Sequence, residues 1–315
     1  MSAYDKFKMT EEDMQIGIDD FFTQLLIELR RQKSDVRTLS DLSSNNPRIS
    51  FVTGQPGAGK TTLAKHIKDK LNNSGECVIE IGADKIATYH KYYNELLKLL
   101  PDECYRISRQ FVRPAEKIIM SELMKYKINI IQEISLSKGE EDYKRIQKFK
   151  EKGYDVEINV MALHKYESFL SCIERDIKLL ELGYDPRPVA RINHDRMYES
   201  FLQEIQEIKK RGLVGRINVF TKGKTLSRNE LVYTTDDPVY GSVQETIISQ
   251  RDKNRKEVLQ NPTEYLARIE NAREKIVLMI SEERVRNDYM QHLTQLELEF
   301  LNELSLERSI GEWYF

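Results

Sequence analysis

The residues most suited to chemistry lie in Gly54-Gln55-Pro56-Gly57-Ala58-Gly59-Lys60-Thr61, which fits the spacing G-x-x-x-x-G-K-[ST] and runs through Thr62 into the helical segment TTLAKHIKDKL. Gly57 and Gly59 can turn successive backbone N–H groups into one concavity, and the following helix adds partial positive charge at its N-terminus. Such a cradle holds a di- or triphosphate without side-chain crowding. Lys60 should contact the β- and γ-phosphates, and the Thr61 hydroxyl should bind Mg²⁺. ATP and Mg²⁺ are therefore the expected cofactors, with residues 54–62 as the nucleotide-binding set. A glycine-rich turn that only caps a helix is the bland alternative, and the strand–loop–helix context speaks against it.

A phosphate cradle serves motors and kinases alike, so what lies opposite the γ-phosphate decides between them. The run ending IEIGADK puts Asp84 just past the carboxyl end of a second strand, expected to adjoin the strand of the phosphate loop. A carboxylate there can accept the proton of an attacking hydroxyl, and it can cap a helix as well. His90, six residues on, could contact an acceptor or simply be packed. The third run ends QEIS and brings Glu133 and Ser135 to the same sheet edge. Acceptor binding is the preferred reading for both, with Mg²⁺ or water ligation by Glu133 as the alternative. Arg175 and Arg191 flank the segment GYDPRPVAR, which suits a lid whose guanidinium groups close on the transferring phosphoryl group. Surface pairing of Arg175 with Glu174 or Glu181 is the competing reading, and Arg187 and Arg196 are competitors for either role. The expected catalytic set is Lys60, Asp84, Arg175 and Arg191.

Five short apolar runs must position these groups: 48–54, 77–83, 128–134, 156–163 and 216–222. Each is too short for an amphipathic helix, and the intervals accommodate crossover helices. The fold class is α/β: a P-loop NTPase or kinase core with a central, mainly parallel sheet flanked by helices. Residues 222–235 predict a turn and an added edge strand. Thr10 with Asp13 gives a capping-box signal, and Met14, Ile18, Phe21, Phe22, Leu25, Leu26 and Leu29 follow at helical spacing. From about 241 long charged helices follow, broken near Asn261-Pro262, with Leu266, Ile269, Ile276, Leu278, Met279, Leu293, Leu296, Leu298, Phe300, Leu301 and Leu304 as apolar faces. The organisation predicted is an N-terminal helical segment (1–47), the catalytic core (48–240) and a helical C-terminal extension (241–315).

In 315 residues, 49 Lys and Arg nearly balance 51 Asp and Glu, giving a formal charge of −2. No global field draws the chain to nucleic acid or an anionic membrane, and neither is an expected partner. No run of eighteen apolar residues and no signal-like N-terminus is present, so a cytoplasmic location is expected. Cys77, Cys104 and Cys172, isolated and odd in number, read as reduced thiols in apolar positions.

Taken together these motifs resemble the zeta toxin kinases of epsilon/zeta and PezAT toxin–antitoxin systems, over roughly residues 10–235. GQPGAGKT matches the family's G-Q-P-G-[SA]-G-K-T, and Asp84 and His90 keep the family's spacing of base and histidine. Glu133-Ile134-Ser135 stands for E-G-T, Ile173-Glu174-Arg175 for I-E-R after Val160-Met161-Ala162, and Ala190-Arg191-Ile192-Asn193 for A-R-A-T-P. The resemblance implies ATP-dependent phosphorylation of the sugar 3′-hydroxyl of UDP-N-acetylglucosamine, which starves cell-wall synthesis, and neutralisation by a small helical antitoxin. The departures are the lost glycine, the missing proline after His90 and the altered arginine loop. A kinase of another small metabolite, such as a dinucleotide, antibiotic or sugar, is the alternative within enzymes. A nucleotide-switched interaction module without an acceptor is the alternative of a different class. The helices after 241 exceed the common pattern, and either antitoxin docking or self-inhibition is a role they could take beyond covering the core.

Overall fold

The computed structural model describes residues 6–32, 34–184, 186, 188–223, 229–236 and 241–312. Six strands form one sheet: β1 (Arg48–Thr53), β2 (Val78–Ile81), β3 (Asn129–Glu133), β4 (Asp155–Met161), β5 (Arg216–Lys222) and β6 (Asn229–Thr234). Their order is β2-β3-β1-β4-β5-β6, parallel throughout except for antiparallel β6. The five apolar runs become the five parallel strands, because strands covered on both faces need no polar alternation. The edge strand predicted after 222 is β6; residues 224–228 of the turn before it lie outside the described residues.

One expectation about neighbours is corrected. β2 pairs with β3 and not with β1, so Asp84 follows a strand one removed from the phosphate loop. β3 is the strand beside β1, with Glu133 opposite Val52. Both runs are equally apolar, and periodicity carries no information about which of them inserts.

Ahead of the sheet, helix α1 (Glu11–Gln32) starts at the expected cap: Asp13 N–H donates to Thr10 Oγ1 and Thr10 N–H to Asp13 Oδ2, each at 3.1 Å. Its Ile18, Phe21, Leu25 and Leu29 are buried in the main core with β1, β3 and β4. After the phosphate loop come α2 (Lys60–Asn73), the short α3 (Ala83–Ala87) and α4 (Tyr93–Leu99), then α5 (Pro101–Lys125) and α6 (Glu140–Glu151). Helix α7 (Lys165–Glu181) follows β4, and α8 (Arg191–Lys210) precedes β5.

The remaining helices are α9 (Val243–Gln260), α10 (Pro262–Met279) and α11 (Glu283–Glu312). α9 opens on a full capping box, Ser242 with Glu245, and buries Val243 and Ile247 in the main core. Beyond it a second core forms: Phe169, Leu170, Ile173 and Ile177 of α7 meet Tyr265, Ile269 and Ile276 of α10 and Tyr289, Leu293, Leu296 and Phe300 of α11. The apolar faces expected of these helices are mostly present. Leu278 (83% exposed), Leu298 (56%), Met279 (39%) and Leu301 (37%) are corrections, since all four are exposed. α7 thus turns its apolar side to the α10–α11 hairpin, while Ser168 and Cys172 meet the phosphate loop.

Candidate active site

The loop after β1 takes the conformation its glycines permit. Gly57 and Gly59 have φ of 73° and 92°, in the left-handed region, and Gly59 caps α2. Gly57 is also sterically compelled: a Cβ there would stand 1.8 Å from the Ser168 carbonyl oxygen of α7. Gln55 is fully buried, donating from Nε2 to Leu163 O at 2.7 Å and to Ser168 Oγ at 3.2 Å. α7 therefore braces the loop from behind. Lys60 Nζ folds back on the loop, donating to Gly54 O at 3.0 Å and Gln55 O at 3.1 Å. Burial pulls the Lys60 pKa below its ordinary value, while the Glu133 carboxylate opposes the shift.

Glu133 ends β3 beside this loop. The Thr61 hydroxyl and Lys60 are near enough to favour its charged form, yet burial comes first among the causes and raises its pKa, with Glu80 and Asp84 adding like charge. Glu80 is a member of this carboxylate cluster that the sequence did not single out; its alternation with Ile79 and Ile81 on β2 is the only signal. Asp84 lies exposed in the first turn of α3 and within electrostatic reach of Glu133. So Lys60, Thr61, Glu133 and Asp84 converge. Hard oxygen donors beside a buried ammonium at a phosphate loop fit a nucleotide-bound Mg²⁺, which needs only one or two protein ligands. Among the described residues no cluster of three or more His, Cys, Asp or Glu could hold a metal by itself. Ser135 stays exposed at the same edge, with its hydroxyl 3.1 Å from that of Ser137. Ile134 is buried in the main core, so its bulk is turned away from the cleft.

His90 lies apart from this convergence. It is 3% exposed, packed edge-on against Phe111 and close to Tyr92, and its Nδ1 accepts from Tyr92 N–H. Burial lowers its pKa to about 4, so it is neutral. Of the two readings, packing describes its surroundings.

The two arginines take different positions. Ser168, Cys172 and Arg175 stand at i, i+4 and i+7 on α7, along the face that meets the loop. Arg175 and Lys60 influence each other electrostatically. Its pairing is with Asp176, at 2.8 Å from Nη2; Glu174 and Glu181 are engaged by Arg268 and Lys275 of α10 instead. Cys172 is a buried thiol beside Lys60, its pKa pushed up to about 11 by burial.

Arg191 is buried, not poised over a cleft. Its Nε donates to Asp195 Oδ2 at 2.7 Å and its Nη2 to Glu299 Oε2 of α11 at 2.8 Å, and the guanidinium stacks 4.6 Å from the Phe169 ring. Behind it runs a relay absent from any sequence signal. His194 Nδ1 lies 2.9 Å from Asp195 Oδ1 and its Nε2 2.9 Å from Ser168 Oγ, the hydroxyl that Gln55 also reaches. Asp195 accepts only, so His194 carries a proton on Nδ1, while its Nε2 and the His164 carbonyl oxygen, at 2.9 and 3.1 Å, share the Ser168 hydroxyl. Ser168 and His194 are both fully buried, and the chain links the phosphate loop to Arg191, reaching solvent only at Asp195, whose side chain is 38% exposed. Arg196 donates to Asn193 Oδ1 at 3.0 Å; Arg187 lies outside the described residues.

Among the described residues, no helix is long and apolar enough to cross a membrane. A family model described as zeta toxin matches residues 33–236, about two thirds of the chain. Toxin PezT of Streptococcus pneumoniae serotype 4 is 25% identical over 219 residues, covering 69% of this chain and 85% of that protein. Toxin zeta of Streptococcus agalactiae is 24% identical over 203 residues, covering 64% and 70%. A solved structure from work on the PezAT chromosomal toxin–antitoxin system of Streptococcus pneumoniae has a TM-score of 0.62 at 20% identity, over 83% of this chain and 98% of that one, a likeness of fold. The matched residues include the phosphate loop, Asp84, Glu133, Arg175 and Arg191, and end before α9.

Proposed function

The chain belongs to the zeta toxin family, and on that footing we propose that it is an ATP-dependent phosphotransferase acting on a hydroxyl of a small molecule. The acceptor we assign is the 3′-hydroxyl of the sugar in UDP-N-acetylglucosamine, and the partner a small helical antitoxin, as the family resemblance implies. The observation that carries the reading is the convergence of Lys60, Thr61, Glu133 and Asp84 at the mouth of the glycine loop.

Asp84 accepts the proton of the attacking hydroxyl as the new oxygen–phosphorus bond forms and the bond to the β-phosphate oxygen breaks. Lys60 and Arg175 meet the negative charge that spreads over the migrating group. Thr61 and Glu133 are the residues that would hold Mg²⁺, which when bound would supply charge neutralisation for the phosphates. This moves Glu133 from the acceptor to the metal side, because its neighbours are the Thr61 hydroxyl and Lys60. Ser135, exposed at the same edge, remains for the acceptor. Arg191, held by Asp195 and Glu299, joins the site only once its Nη2 is released from Glu299.

The burial of His90 favours one runner-up, phosphorylation of a different small metabolite, since the imidazole that the family resemblance would set against the sugar nucleotide is packed against Phe111. Incubating pure protein with ATP-Mg²⁺ and separate candidate acceptors, followed by mass spectrometry, tests all three possibilities. A gain of one phosphate on UDP-N-acetylglucosamine, abolished by Lys60→Ala, is the expected result. Phosphorylation of another acceptor moves the assignment to the runner-up, and ADP with free phosphate alone supports a nucleotide-switched module.

A further inference from the structure

Arg191 is held by two carboxylates of different provenance. Asp195, four residues on in the same helix, is tied through His194 and Ser168 to Gln55, and so belongs to the scaffold of the phosphate loop. Glu299 belongs to α11, beyond the residues 33–236 that the family model matches. Glu299 is itself steadied by Gln295, whose Nε2 donates to Oε1 at 3.1 Å.

One guanidinium between two carboxylates sits in a locally negative environment, with the Nε–H and one N–H of Nη2 already committed. Nη1 is buried with no hydrogen-bond partner. A phosphoryl group needs that positive charge and those donors, so Glu299 and a triphosphate compete for one side chain. The two carboxylates are not equally easy to dislodge. Both side chains are partly exposed, at 38% and 31%, and what separates them is attachment: Asp195 sits four residues on in Arg191's own helix and also bonds His194 Nδ1, whereas Glu299 is carried by a separate hairpin that can move away.

We propose that Glu299 is a competing intramolecular ligand for Arg191, through which the last helix restrains the site. The inference rests on the phosphotransferase reading, because Arg191 is worth withholding only if it serves the γ-phosphate. Displacement of Glu299, by movement of α11 or by a partner that engages it, would free Nη2 while Asp195 keeps Nε in place.

The test compares binding of a non-hydrolysable ATP analogue and of ADP, both with Mg²⁺, to the full chain and to Glu299→Gln, by calorimetry. The substitution keeps shape and removes charge. The analogue should tighten relative to ADP by roughly tenfold in Glu299→Gln, the worth of one charge-assisted hydrogen bond. That gain should vanish in Glu299→Gln combined with Arg191→Ala. An unchanged or reduced ratio in a variant of unaltered Tm overturns the restraint and leaves the kinase reading standing. Failure of either nucleotide to bind either protein overturns both.

Discussion

Tyr289, near the start of the last helix, donates its hydroxyl to Asp176 Oδ2 at 2.8 Å, while Oδ1 of that carboxylate accepts from Arg175 Nε and Nη2 at 3.1 and 2.8 Å. Asp176 is 1% exposed, so its orientation is fixed by these donors. A residue of the C-terminal hairpin thereby sets the carboxylate that orients an arginine beside the phosphate loop.

Tyr289→Phe should lower stability by about 1–3 kcal/mol, the cost of depriving a buried carboxylate oxygen of a donor. Denaturant titration reads the loss. Arg175→Ala should cut phosphoryl transfer by roughly 10³ or more, as for other arginines that meet transition-state charge. A loss under about tenfold would return Arg175 to the rank of a surface ion pair.

Lys60→Ala should abolish turnover with the fold retained, because Nζ bonds only to carbonyls of its own loop. Asp84→Asn should depress transfer to the acceptor while nucleotide binding persists, since Asp84 lies on α3, off the phosphate loop. Circular dichroism and calorimetry together separate these outcomes from unfolding.

Glu133 predicts a pH signature. Burial, with help from Glu80 and Asp84, raises its pKa above the ordinary 4.5 in the folded chain. A raised carboxyl favours the protonated folded form, so the penalty for charging it is absent below 4.5 and complete once pH exceeds the folded value. Glu133→Gln should therefore raise the Tm of the nucleotide-free protein near neutral pH, with the gain shrinking to nothing below about pH 4. A gain that is equal at all pH values would assign the effect to packing.

Gly57→Ala should be severe. The new Cβ would meet the Ser168 carbonyl oxygen at 1.8 Å and must also adopt a φ of 73°. Strain and overlap together place the cost at about 3 kcal/mol or more, read as loss of soluble protein or of nucleotide binding.

The nucleotide loop was legible because its chemistry depends on contiguous residues, and the parallel strands because burial on both faces leaves a continuous apolar run. What escaped was set by tertiary contact. Nothing in VIEI or NIIQE tells that β3, not β2, lies beside β1. His90 keeps a motif spacing yet is packed against Phe111, because spacing along a chain says nothing of which way a ring turns. Glu299 and Tyr289 lie 108 and 113 residues from Arg191 and Asp176, distances over which sequence alone leaves no pattern.

The apolar flank of α7 bears on the order of synthesis. Phe169, Leu170, Ile173 and Ile177 are covered largely by residues 265–300, which the ribosome delivers more than eighty residues after them. Until that late segment emerges, a greasy flank of the nascent chain is wet, and both Asp176 and Arg191 still await partners that have yet to be translated.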